Sequence, residues 1–412
     1  MSSLPSKPLR LAATAALLAT AVGTFAISGA RSSAQSPQPP QAVPPIFSDG
    51  VAWTQFVLAV TPSPKTGLVT YETFASDQDL YVENPCPPLK APRASSAGCN
   101  VPVWPTDAKL RGKTLQQSLL GAAAVGAERQ GRRRLAVQVI GPAQGCGTPS
   151  GLNKAAAGSG FPATGCIGEE VRRDHATFDY LVANTLWSQA GLGQYYASGK
   201  PVATPLNALE VKADWIPVST LATWLGKDAA FVNANFYTAT ANAGNGNVPF
   251  AMTSMHIMVK PLGFPDWIWA NFENAYVPGR CDQTGCNDSF GAQTAKIAPN
   301  AQPWGQYGTC PKSAAVALMM TTAKVAPVFA NYCMTGSQSA FGTATDPTLL
   351  GSPVIETLNA NVPLAQSSCI SCHAGAAFNA TEVGPVKTAV GPNGPPTGYI
   401  GYDLMWGLLF AS

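Results

Sequence analysis

Cys369-Ile370-Ser371-Cys372-His373 sets two thiols three positions apart, with an imidazole directly after the second. On one turn of helix that spacing offers both sulfurs to the vinyl groups of a haem as thioethers and brings the histidine beneath the iron. With 10 Cys and 3 His in 412 residues, roughly 0.002 such pentapeptides are expected by chance. The pattern therefore predicts a single covalent haem c bound by Cys369 and Cys372, with His373 as proximal axial ligand. A zinc site would want more Cys or His at short spacing, and the nearest upstream thiol, Cys333, is 36 positions away. A thioredoxin-like dithiol would want a preceding strand, whereas Pro363 to Ser368 reads as a loop.

The sixth iron position decides whether such a group only passes electrons or also admits small molecules. His256, in the mostly apolar strand Met255-His256-Ile257-Met258, is the candidate distal ligand, against the bland reading of a buried, hydrogen-bonded histidine. Met405 is the alternative, as the sole methionine among the 39 residues after His373, although Asp403-Leu404-Met405-Trp406 also reads as a closing core segment. His175, beside Arg172, Arg173 and Asp174, reads as solvated or capping. Met319, Met320 and Met334 read as core or surface residues of a long helix and its end. Thirty-nine residues are too few for a self-standing cytochrome fold, so the haem pocket is expected to borrow walls from the rest of the chain.

The elements that must supply those walls are partly legible. Val51 to Val60 is a helix or a strand, which periodicity alone does not decide. Apolar spacing predicts a helix over Thr177 to Leu192 after Asp174 as cap. Alternation predicts strands over Leu209 to Val218 and Ser254 to Val259. Ser313 to Tyr332 reads as a helix that Pro327 kinks or ends. Helices and strands intermix without a βαβ rhythm, so the fold class is α+β, one loop-rich body carrying the C-terminal haem region of about 361–412. Eight cysteines outside the CxxCH motif fall into four close sequential couples, 86 with 99, 146 with 166, 281 with 286 and 310 with 333, which suggests local disulfide staples.

Residues 1–34 resemble an export signal: Lys7 and Arg10, an apolar stretch from Leu11 to Ile27, then small residues. Gln35 to Pro45 is a Pro- and Gln-rich linker, and 46–412 is read as one domain. Lys7, Arg10 and Arg31 account for the whole formal charge of +3, leaving a neutral remainder that argues against nucleic acid as a partner. The expected compartment is periplasmic or extracellular, with membrane contact only through an uncleaved signal and a periplasmic redox protein as partner. Arg132-Arg133-Arg134 reads as a solvated turn before the strand-like Leu135 to Ile140, and Gly244 to Asn247 as a turn. Asp282 and Asp288 could hold Ca²⁺, with a solvated, disulfide-stapled loop as the plainer reading. HExxH, P-loop, GxSxG and dinucleotide fingerprints are absent.

Several phrases together resemble a family of exported bacterial single-haem cytochrome c proteins. They are Trp53-x-x-Phe56-Val57, Tyr71-Glu72-Thr73-Phe74, Phe178-Asp179-Tyr180-Leu181-Val182, Glu210-Val211-Lys212-Ala213-x-Trp215, His256 to Lys260, Trp267 to Asn274, and the Ser-Ser-Cys-x-x-Cys-His site with its Asp403-x-x-Trp406 tail. The resemblance implies haem c binding, and His256 matches a family histidine. Asn274 and Val259 stand where relatives often carry histidine, and the position of Met405 is commonly Val or Leu, which weakens Met405 as a ligand. Two functions follow as expectations. One is electron transfer through the single haem. The other is a peroxidase-like haem oxidoreductase with an open or weakly held iron and His256 or Glu273 as distal acid or base. A sensor is a third, weaker reading, since no signalling module follows the haem motif.

Overall fold

Pro44 and Pro45 preset the backbone for a helix start, and Pro45–Val60 (α1) follows with Pro in its first turn. Ala52, Trp53, Phe56, Val57, Ala59 and Val60 are buried along it at helical spacing, which decides for helix the segment that periodicity had left open. The computed structural model describes residues 44–82, 84–87, 98–106, 158–162, 165, 167–242, 247–264, 266–341, 349–359, 362–385, 395, 397–407 and 411. All of them belong to one compact unit, Pro39–Ser412. The signal segment, most of the linker, the arginine run with Leu135 to Ile140, and both Cys146 and Cys166 lie outside the described residues. Pro45, the last residue of the expected linker, already begins α1.

After the short strand Ala75–Ser76 (β1) and the turn of helix Asp77–Leu80 (α2), the main sheet is built from Gly168–Arg173 (β2), Leu209–Pro217 (β3), Thr238–Asn242 (β4), Asn247–Val259 (β5), Ile268–Asn274 (β6) and Tyr332–Gln338 (β9). Its order is β1-β2-β3-β5-β6-β9, with β4 also on β5, and every pairing is antiparallel. Both expected strands are present, the second beginning earlier than alternation indicated. The fold is thus α+β, as read. Between these strands lie His175–Ala183 (α3), Gln189–Ala197 (α4), Val218–Leu225 (α5), Ala229–Asn235 (α6), the pair Cys286–Asn287 (β7) and Lys296–Ile297 (β8), and Ala314–Thr322 (α7).

Two expected helices are shorter than their apolar patterns. Asp174 caps α3 by accepting from the Thr177 N–H at 2.9 Å, but the helix stops before Thr185, whose φ is 57°. Ser188 then caps a separate α4 by accepting from Gly191 N. Likewise Ser313 caps α7, Lys324 at φ 55° ends it, and Pro327–Asn331 makes only a 3₁₀ turn before β9. In both places a capping side chain and a left-handed residue overrode continuous hydrophobicity.

The sheet is buried on both faces. One face presents Val211, Ala213, Trp215, Met255, Ile257, Ala270 and Phe272 to Trp53, Phe56 and Val57 of α1. Phe56 stacks on Phe272 at 4.4 Å between ring centroids, and Trp53 meets Phe272 edge-on at 5.0 Å. Each such side chain contributes roughly 1.5–3 kcal/mol of burial. Met320 and Met334 are part of this core. Trp53 also donates to Asp288 Oδ2 at 2.9 Å, and Asp288 accepts from the Gly291 and Phe290 N–H groups. Asp282 accepts from Tyr307 Oη and Gly305 N. Protein donors therefore engage these acids, which are buried where the plainer reading expects them solvated. Disulfides join Cys86 to Cys99, Cys281 to Cys286 and Cys310 to Cys333.

Candidate functional site

The other sheet face is polar. Because side chains alternate along a strand, Lys212 and Asp214 on β3, Ser254, His256 and Met258 on β5, and Trp269, Asn271 and Glu273 on β6 share it. Register puts Lys212 opposite His256 and His256 opposite Asn271, then Asp214 opposite Ser254 and Ser254 opposite Glu273. The residues around the CxxCH motif belong to this side: Cys369 and Ile370 pack in one cluster with Met258 and Trp269.

Cys369–His373 (α8) is a single helical turn. Gln338, at the end of β9 and paired with Trp269, fastens its start: its side-chain oxygen accepts from the Ile370 N–H at 2.9 Å, and its amide donates to Ser368 Oγ at 3.0 Å. Ile370 is buried beneath the turn. Both thiols are free, Cys369 buried and Cys372 exposed. Burial pushes both thiol pKa values up, and the negative charge of Glu356 adds to the effect. Such thiols stay protonated at neutral pH and are poor nucleophiles, which disfavours a redox dithiol.

Half-buried His373 presents its Nδ1 to the carbonyl oxygen of Leu404 at 2.6 Å. Its ring centroid lies 5.8 Å from that of Trp269. With Nδ1 as the donor in that hydrogen bond, Nε2 is left as the basic nitrogen. Burial lowers the His373 pKa to about 4, with the Leu404 carbonyl opposing the shift and Lys212 reinforcing it. The ring is therefore neutral, the form that binds a metal.

Leu404 holds its carbonyl there at a conformational cost. Asp403 and Leu404 have φ of 51° and 64°, the left-handed region that costs a non-glycine residue roughly 1–2 kcal/mol. The Asp403 carboxylate supports this pose, pairing with Lys260 Nζ at 2.9 Å and accepting from Thr204 N at 2.8 Å. Short strands Ala376–Phe378 (β10), Val383–Pro385 (β11) and Ile400–Gly401 (β12) form a small antiparallel sheet just after α8 and before this tail. Met405 is fully buried among Phe378, Tyr402 and Trp267.

His256 Nε2 is buried and has no hydrogen-bond partner among the described residues. Burial drives its pKa well below the ordinary value, and the Lys212 charge, then electrostatic coupling to the neighbouring His373 ring, add to the depression. His256 thus offers a neutral imidazole with an unused ring nitrogen on the face shared with the CxxCH turn, the form able to bind a metal. His175 instead lies at the surface, bonded to Asp179 at 2.9 Å and stacked on Trp104. No group of three or more His, Cys, Asp or Glu able to hold a metal ion occurs among the described residues.

Sequence reasoning singled out Glu273 but missed Asp214 and Glu356, which join it in an acidic cluster near these histidines. Asp214 and Glu273 are fully buried, and Pro353–Asn359, a π-helical turn, brings Glu356 to the same place. Lys212 pairs with Glu169 at 3.3 Å. Burial opposes the Lys212 charge, but Glu169, Asp214 and Glu356 outweigh it and raise its pKa. The available signal was the period-two run of Lys212, Asp214, Ser254, His256, Asn271 and Glu273 interleaved with large apolar residues, which marks polar side chains on strands covered from both sides.

Comparison with protein-family models, curated proteins and solved structures finds no match to this chain, so its own residues carry the functional reading. No helix among the described residues is long and apolar enough to cross a membrane.

Proposed function

We propose that this chain is an exported single-haem c-type protein that passes electrons to and from a periplasmic redox partner. The carrying observation is the pairing of two free thiols on one helical turn with a neutral His373 oriented through its Nδ1. Cys369 and Cys372 would hold the group as thioethers, and His373 Nε2 would bind its iron together with His256 Nε2, in preference to Met405. When bound, haem supplies a one-electron iron couple.

The protein residues then act as an orienting frame. The Leu404 carbonyl fixes the tautomer and the rotation of His373, and as a hydrogen-bond acceptor makes the ring a stronger donor, which favours the oxidised state. The Asp403–Lys260 pair holds that carbonyl in place. With His256 available to the iron beside His373, electron transfer is preferred to the peroxidase-like reading.

Optical and resonance Raman spectra of the protein matured in a periplasm competent for haem attachment test this. Six-coordinate low-spin iron in both oxidation states, unaffected by cyanide or carbon monoxide, is expected. Binding of either ligand would favour the oxidoreductase instead, with Glu273 as the acid, and a protein without covalently bound haem would overturn both.

A further inference from the structure

Asp214 and Glu273 are fully exposed to protein and not at all to water, and both sit opposite Ser254, one row from His256. Neither oxygen of Asp214 has a hydrogen-bond partner among the described residues, and neither does the Ser254 hydroxyl. The oxygens of Glu273 lie beside Ser352 and Asn271 without a well-formed hydrogen bond. An unpaired buried carboxylate is so costly that the group takes up a proton instead.

The charges around the cluster are few. Asp214 is faced by Glu169 from β2, Lys212 from its own strand, Glu356 from the π-helical turn and Glu273 from β6. Glu273 is faced by Glu356, Arg280 and Asp214. Glu356 is faced by Lys212 and Glu169 and reaches electrostatically to the Cys369 and Cys372 sulfurs. Lys212 is felt by both cysteines and by His373 and His256. The acids and the CxxCH site therefore share one poorly screened compartment, in which a charge added at one is felt at the other.

We infer that Asp214, Glu273 and Glu356 form a proton-binding site whose occupancy is coupled to the oxidation state of the haem carried by Cys369 and Cys372. The inference rests on the function proposed above. An electron delivered by a one-electron reductant makes the compartment one charge more negative. A carboxylate of the cluster then takes a proton from solvent and becomes a carboxyl, and re-oxidation returns both electron and proton. Burial and mutual repulsion keep these acids titrating high, Glu273 at about 8 and Glu356 at about 6, so the exchange falls near neutral pH.

Potentiometric titration of the haem-loaded full chain across about pH 5 to 9 tests this. The midpoint potential is expected to fall as pH rises, by up to about 59 mV for each tenfold drop in proton activity. The double variant Asp214→Asn, Glu273→Gln, which mimics the protonated acids and leaves Glu356 as the remaining carboxyl, should lose the alkaline part of that slope, around pH 8. A flat wild-type profile, or a slope unchanged in the double variant, overturns the inference and leaves the haem assignment standing. Absence of covalent haem overturns both. Should the double variant not fold, the wild-type infrared difference spectrum between oxidation states decides: a protonated-carboxyl stretch that grows on reduction and shifts in D₂O supports the site, and its absence rejects it.

Discussion

The Nδ1 of His373 and the carbonyl oxygen of Leu404 stand 2.6 Å apart across 31 residues of chain. The acceptor is backbone, so substitution at Leu404 cannot remove it, and its position depends on the Asp403–Lys260 pair and two left-handed residues. Asp403→Ala should cost about 3–5 kcal/mol by leaving Lys260 buried and unpaired. It should also raise the midpoint potential by loosening the His373 hydrogen bond. Denaturant unfolding and potentiometry measure the two effects, and an unchanged potential would break the link between Asp403 and His373.

Leu404 itself offers a backbone test. Leu404→Gly should be tolerated at φ 64° apart from the lost packing, whereas Leu404→Val should destabilise by more, because a β-branched residue resists that conformation. Equal melting temperatures for the two variants would contradict the strained pose.

Replacing Cys369 and Cys372 together by Ala should abolish covalent haem staining and lower yield, since the space meant for the group is then left without its tether. Mass spectrometry of the purified chain checks it. Tightly linked haem retained by the double variant would sink the attachment assignment.

His256→Ala should convert the spectrum to one with an open or water-filled position, while Met405→Leu should leave it unchanged and cost less than about 1.5 kcal/mol as a volume-conserving core swap. Soret position and cyanide binding separate the two. The reverse outcome would hand the sixth position to Met405.

Glu273 moves from 4.5 to about 8 through burial. The folded state thus keeps a proton that the unfolded state has released, so the stability is full below about pH 4.5 and declines as pH rises toward 8. The decline is on the order of 3–5 kcal/mol, and Asp214 acts with the same sign. Glu273→Gln should flatten the pH dependence of unfolding free energy over that window. A wild-type profile that rises with pH would refute the buried proton.

Much of the fold was legible where local chemistry agreed with packing. The alternation of Glu210, Lys212 and Asp214 with Val211, Ala213 and Trp215 marked β3 correctly, because period two is a property of the backbone itself. The Asp174 cap was equally readable. The helices after Asp174 and Ser313 were overextended because Thr185 and Lys324 adopt left-handed conformations that neither residue type announces. The three disulfides within the described residues follow the couples that proximity along the chain suggested.

By itself the sequence determined the identity and spacing of the residues able to tether a haem, since Cys369, Cys372 and His373 lie within one turn of helix and need no tertiary contact to be recognised. Only the tertiary structure decided what surrounds them. It brought Leu404 behind His373, aligned His256 with Lys212 and Asn271, and gathered Asp214, Glu273 and Glu356 from separate segments. Those relations depend on strand register and on burial from both faces of the sheet, which no local pattern encodes.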